Sequence, residues 1–80
     1  MKKSFHNNII HLNSEALKSI SYNEDKHILE ATFSNNRTYQ YIKMPKKVWK
    51  DFLKTIDAGK SAGAFINKRI KPFYKYVEIS

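Results

Sequence analysis

Apolar and polar residues alternate along three successive segments, at residues 16–22, 28–33 and 37–43. A period of two is typical of strands that bury one face. On one face of each predicted strand lie, in chain order, Ala16, Ile20 and Tyr22, then Leu29, Ala31 and Phe33, then Tyr39 and Tyr41. Two polar segments, Asn23–Lys26 and Ser34–Asn36, separate the strands, and asparagine tolerates the left-handed backbone of tight turns. The pattern predicts an antiparallel three-stranded meander.

The period changes after Pro45, which ends the third strand and suits the first turn of a helix. The apolar residues that follow at helical spacing are Val48, Trp49, Phe52, Leu53 and Ile56. Gly59 is placed to end this helix as a C-cap, and Ser61 is placed as the N-cap of a short second helix that runs toward Ile70.

Pro72 predicts an extended exit from the second helix. Residues 73–79 alternate again, so the chain should finish as a strand with Val77 and Ile79 inward and with Tyr74 and Tyr76 partly exposed. The predicted fold class is α+β: a small antiparallel sheet, made of a three-stranded meander plus a C-terminal strand, packed against one main helix and one short helix. Residues 1–13 are expected to form a loosely ordered N-terminal arm, and residues 14–80 a single domain.

The composition fits one small core. The chain has 80 residues, of which 41% are hydrophobic, and a domain of this size buries about 60% of its unfolded surface. No cysteine is present, which excludes disulfides and thiolate zinc sites. No apolar run reaches the ~20 residues of a membrane span, so we expect a cytoplasmic protein without membrane contact.

Positive charge is concentrated in the second half of the chain. Residues 41–80 carry ten basic and three acidic side chains, a net charge of +7, whereas residues 1–40 carry only +1 of the total of +8. This asymmetry favours a polyanionic partner, most simply nucleic acid.

The main candidate site lies around Gly63. Ser61 and the amides that follow it would form a small anion site at a helix N-terminus, with basic side chains converging on it and two tyrosines nearby to stack on bases. The candidate residues are Lys60, Ser61, Gly63, Lys68, Arg69, Lys71, Tyr74, Lys75 and Tyr76. The alternative interpretation of this segment is a purely structural turn.

A second group of candidates is open to two interpretations. Tyr39 and Tyr41 lie ~7 Å apart on one strand face, where they either stack on bases or cover the helix as core residues. Lys46, Lys50 and Lys54 repeat every four residues and form one ridge, which either follows a phosphate backbone or is an ordinary solvated surface. Arg37 is a further basic candidate on the strand of the two tyrosines.

Other kinds of chemistry lack their motifs. Residues 59–61 match the end of a P-loop, but the earlier glycine is absent, and His6, His11 and His27 do not have metal-ligand spacing. No nucleophile turn is recognisable. We therefore expect no catalytic residue, no metal and no cofactor.

The order of these features resembles the KTSC domain, a small domain found at the C-terminus of some lysyl-tRNA synthetases and as stand-alone bacterial or phage proteins. The resemblance covers residues 17–79. It rests on Ile20–Tyr22, on the hairpin that leads to Tyr39-Gln40-Tyr41, on Met44-Pro45 with Val48 and Trp49, on Ser61–Asn67, and on Ile70 with the Tyr74–Tyr76 region. It implies the fold, and RNA binding is a proposal attached to the family.

Two functional hypotheses follow. The first is a non-catalytic module that binds RNA or another single-stranded nucleic acid through the basic C-terminal face and tyrosines. The alternative is a protein-interaction or inhibitor module that binds an acidic protein or a small anionic nucleotide. Such a module could be encoded by a phage. A protein or nucleotide binder should gain little affinity from additional phosphates, and the oligomeric state is left open.

Overall fold

The computed structural model describes residues 9–12 and 16–79. Its strands are β1 (Ile10–His11), β2 (Leu17–Asn23), β3 (Ile28–Phe33), β4 (Thr38–Tyr41) and β5 (Tyr76–Glu78). The helices are α1 (Lys46–Asp57) and α2 (Ala62–Phe65), and α2 continues into a π-helical segment at Ile66–Ile70, the π turn. The strands form one antiparallel sheet in chain order, so the α+β prediction is confirmed.

The register of β2 differs from a regular alternation. Leu17 pairs with Phe33 but Ser19 pairs with Thr32, so a bulge lies between Leu17 and Ser19. The extra residue shifts the pleat by one position, and both Leu17 and Ile20 are buried as a result. The sequence pattern placed Ala16 on the inner face, which is wrong: Ala16 is exposed.

The two asparagine turns form as predicted. Asn23 accepts the N–H groups of Asp25 and Lys26 through its side-chain oxygen. In the second turn the N–H of Asn36 donates to the Phe33 carbonyl at 2.9 Å, and Asn36 has a left-handed φ of 68°. Both arrangements are ones that asparagine adopts readily.

Helix α1 ends at the predicted glycine. Gly59 has φ 78°, and its N–H donates to Ile56 while that of Lys60 donates to Thr55. These two bonds are a Schellman motif. Trp49 and Phe52 are the buried residues of α1: Trp49 stacks on Tyr22 and Phe52 stacks on Phe65 of α2.

Both helices cover one face of the sheet. The buried hydrophobic core consists of Leu17, Ile20, Tyr22, Leu29, Ala31, Tyr41, Met44, Trp49, Phe52, Ala62, Phe65, Ile66 and Ile70. No helix in the described part of the chain is long and apolar enough to cross a membrane.

The side chains of β5 face the opposite sides of the sheet from those predicted. Tyr41 pairs with Tyr76, and Gln40 pairs with Val77. Paired residues of neighbouring antiparallel strands share a face, so Tyr76 lies on the helix-covered face and Val77 lies on the other. Val77 and Ile79 are each about half exposed, at 51% and 49%, and the prediction that they point inward is wrong.

The strand β1 is absent from the sequence prediction. Ile10 pairs with Ile20 of β2, and Ile10 and Leu12 pack against the core. Part of the segment expected to be a loose arm therefore adds a fifth strand to the sheet. Residues 1–8 and 13 of that arm lie outside the described residues.

Candidate functional site

A cleft of about 300 Å³ opens between the sheet and the π turn. We call it the aromatic cleft. One wall is made by Phe33, Tyr39, Tyr41 and Tyr76 of strands β3, β4 and β5, and the other by Ile66, Asn67 and Lys71 in and after the π turn, with Ala16, Ser34 and Asn35 at its border. It combines ring faces, amide groups and a cation in one concave site.

Strand pairing brings the three tyrosines together. Tyr76 lies opposite Tyr41, and Glu78 lies opposite Tyr39. The Tyr76 ring packs edge-on against Tyr39 at 5.3 Å and tilted against Tyr41 at 5.5 Å between centroids. The three rings therefore form one continuous aromatic surface.

Burial separates the roles of the three rings. Tyr41 is 3% exposed and belongs to the core, Tyr39 is partly buried against the core, and Tyr76 is 50% exposed. The core interpretation of Tyr41 is confirmed. Tyr76 is the most exposed of the three rings and offers the most surface to a ligand in the cleft.

The polar groups around these rings have defined charge states. Burial raises the pKa of Tyr41, with smaller contributions from Tyr76 and Tyr39, so its hydroxyl remains protonated at neutral pH. Arg37 lies 3.5 Å from Glu78, the residue that pairs with Tyr39. A side-chain hydrogen bond with Tyr39, and then the charge of Glu78, raise the pKa of Arg37, which stays cationic.

The π turn supplies the opposite wall. The N–H of Lys71 donates to the Ile66 carbonyl at 2.7 Å, which is the wide hydrogen-bonded ring of a π-helix. Within the π turn, Ile66 and Ile70 are buried. Asn67 and Lys71 are exposed and line the aromatic cleft. Sequence reasoning did not include Asn67 or Phe33 among the candidates, because a π turn has no simple sequence pattern and Phe33 fitted a core position.

A second cleft, of about 280 Å³, lies where β4 ends and β5 begins. We call it the edge cleft. It is lined by Ile42, Lys43, Phe73, Tyr74 and Lys75. Tyr74 and Lys75 were predicted site residues, whereas Lys43 and Phe73 were not.

The basic residues predicted to converge on Gly63 are divided among different surroundings. Lys71 lines the aromatic cleft and Lys75 lines the edge cleft. The Arg69 guanidinium contacts Asp51 of α1 at 3.2 Å and lies 5.1 Å from the centre of the Phe65 ring. Lys60 and Lys68 are exposed and line neither cleft.

Ser61 has a structural role as the cap of α2, whereas the packing at Gly63 does not require a glycine. The Ser61 hydroxyl accepts the Ala64 N–H at 3.1 Å, as the N-cap of α2. A Cβ at Gly63 would meet Ala16 and Ser61 at 3.9 Å, which is ordinary contact. The anion site around Gly63 stays a prediction; of its basic residues, Lys71 and Lys75 line the two clefts.

The lysine ridge of α1 is partly engaged. Lys46 contacts Glu24 at 3.2 Å, while Lys50 and Lys54 are exposed on the helix. None of the three lines either cleft. In the described ranges, 9–12 and 16–79, no group of three or more His, Asp or Glu side chains is arranged to hold a metal ion.

Comparison with known proteins identifies the family. The model of the KTSC domain matches residues 13–76. The crystal structure of a KTSC domain protein from Yersinia pestis is similar to this chain, with 28% identity and a TM-score of 0.79 over 90% of this chain and 96% of that one. A search of curated proteins found no match. The chain belongs to the KTSC domain family.

Proposed function

We propose that this domain is a non-catalytic module that binds single-stranded nucleic acid, foremost RNA, through the aromatic cleft. One observation carries the proposal: the half-exposed ring of Tyr76 shares a concave site with Asn67 and Lys71. Stacking, hydrogen bonding and cationic groups are the three kinds of contact that proteins use to hold an unpaired nucleotide.

The dimensions of the cleft favour one base. A volume of about 300 Å³ is at the lower end of the range for small-molecule pockets. The Tyr76 ring is available for stacking, an interaction worth ~1–3 kcal/mol per base. A base inside a duplex is already stacked, so single strands are the preferred substrate class.

Charge supports the same class of partner. The net charge of +8 attracts a polyanion over distance, and Lys71 is an exposed cation in the wall of the cleft. No acidic residue is among the described residues that line it. A mode of binding led by phosphate contacts has low sequence specificity and weakens steeply with salt.

The test compares two lysines that each contribute one positive charge. Binding of labelled hexauridylate is measured by fluorescence anisotropy at two salt concentrations for the wild type, Lys71→Ala and Lys54→Ala. Lys71→Ala should lower affinity about tenfold, as for loss of one charged hydrogen bond, and reduce the salt slope by ~0.7. Lys54→Ala is the matched control, because Lys54 is exposed on α1 away from the cleft.

The same titration contains the contradicting results. Equal losses of affinity in the two variants would show that binding follows total charge rather than the cleft. Equal affinity for hexauridylate and for an RNA duplex would contradict base stacking. Absence of binding at physiological salt would reject the proposed function.

A protein-interaction module is the second candidate, and one observation favours it. Val77 and Ile79 of the β5 region are each half exposed on an edge strand, which is the kind of surface that accepts an additional strand. If the partner is an acidic protein, the affinity of the domain for a polyanion should not increase as the polyanion is made longer.

A further inference from the structure

We infer that the edge cleft is a second nucleotide subsite, so that a strand of at least two nucleotides crosses the start of β5 with one base in each cleft. This inference rests on the proposed function. It extends that function by assigning the length of the ligand and a second set of contact residues.

The two clefts are adjacent. Lys75 lines the edge cleft, and the next residue, Tyr76, lines the aromatic cleft. The strand β5 is the last strand of the sheet and pairs with β4. Side chains of consecutive strand residues point to opposite faces, so a nucleic acid strand that leaves one cleft passes around the start of this edge strand to enter the other.

The edge cleft presents an aromatic ring to solvent. Phe73 is 70% exposed, more than any other large hydrophobic residue that the structure describes. Its backbone is held in place, because the N–H groups of Phe73 and Tyr74 both donate to the Ile70 carbonyl at 3.0 Å. A large ring displayed on an ordered turn is suited to stacking on a base.

The cations of the edge cleft suit a phosphate. Lys43 and Lys75 both line it and both are exposed. The N–H of Ile42 donates to the Lys75 carbonyl at 2.9 Å, which holds the two lysine-bearing segments together. Two cations beside an exposed ring, with no acidic residue among the described residues lining the cleft, repeat the chemistry of the aromatic cleft.

The inference is tested with uridine 5′-monophosphate, the dinucleotide UpU and hexauridylate, added to the wild type and to Phe73→Ala, Tyr76→Ala and Ile79→Ala. Phe73→Ala should lower affinity for hexauridylate and UpU by about 5-fold to about 150-fold, as for loss of one stacked base. Its affinity for the mononucleotide should fall less than its affinity for UpU, because the aromatic cleft still binds one nucleotide. Tyr76→Ala should weaken binding of all three ligands.

Ile79→Ala is the matched control, since Ile79 is an exposed apolar residue outside both clefts and its loss should leave all affinities unchanged. Circular dichroism and thermal melting verify folding of each variant. If Phe73→Ala binds hexauridylate as the wild type does while Tyr76→Ala does not, the second subsite is wrong and the proposed function stands. If the wild type binds none of the ligands, the proposed function itself fails.

Discussion

The three tyrosines of the aromatic cleft show how position alone divides one residue type into different roles. Tyr41 is buried in the core, Tyr39 is partly buried and Tyr76 is half exposed. The sequence places Tyr39 and Tyr41 on one face and favours the core interpretation over base stacking, but it leaves both open. The pairing of Tyr76 with Tyr41 decides between them, and it depends on a strand 35 residues further along the chain.

Gly59 and Gly63 also have different backbone environments, and this gives a prediction at the residue scale. Gly59→Ala should lower the free energy of unfolding by ~1 to 2 kcal/mol, because Gly59 has a left-handed φ that penalises a Cβ. Gly63→Ala should be neutral or stabilising by up to ~1 kcal/mol, because alanine is the better helix former and has room there. Urea denaturation measures both.

The opposite order of stability in these two variants would contradict the assigned backbone roles. The Gly63 variant also tests the anion site predicted from sequence. If Gly63→Ala abolishes binding to hexauridylate while leaving the fold intact, close approach to the Gly63 backbone matters and the aromatic cleft is not the main site.

At the scale of elements, the features that depend on neighbouring residues were predictable from the sequence, and those that depend on pairing with distant strands were not. The asparagine turns, the Gly59 cap and the Ser61 cap depend on neighbouring residues and are confirmed. The β2 bulge and the orientation of β5 depend on register with partner strands, which a period of two cannot specify. The π turn, which presents Asn67 and Lys71 to the cleft, likewise had no sequence signal.

The packing of the π turn on α1 gives the prediction at this scale. Arg69 contacts both Asp51 and Phe65, so Arg69→Ala should lower the free energy of unfolding by about 1 kcal/mol. Lys68→Ala removes the same charge from an exposed neighbour and should leave stability unchanged. Thermal melting of both variants checks this, and equal stabilities would show that the Arg69 contacts contribute nothing.

At the scale of the whole molecule, the charge excess and the cations of both clefts come from the same half of the chain. Residues 41–80 carry +7 and supply every lysine that lines either cleft. The charge asymmetry was visible in the sequence, and the fold adds a location: Lys43, Lys71 and Lys75 line clefts that also contain exposed rings.

The most direct test of the central claim is a backbone amide NMR titration of the wild-type domain with hexauridylate at physiological salt. We predict saturable shift changes at Tyr39, Asn67, Lys71 and Tyr76 of the aromatic cleft, with little change at Lys50 and Lys54 of α1. Occupation of the edge cleft by the same ligand adds shifts at Phe73 and Lys75. Shift changes spread evenly over the exposed lysines, or centred on α1, would contradict binding in the aromatic cleft.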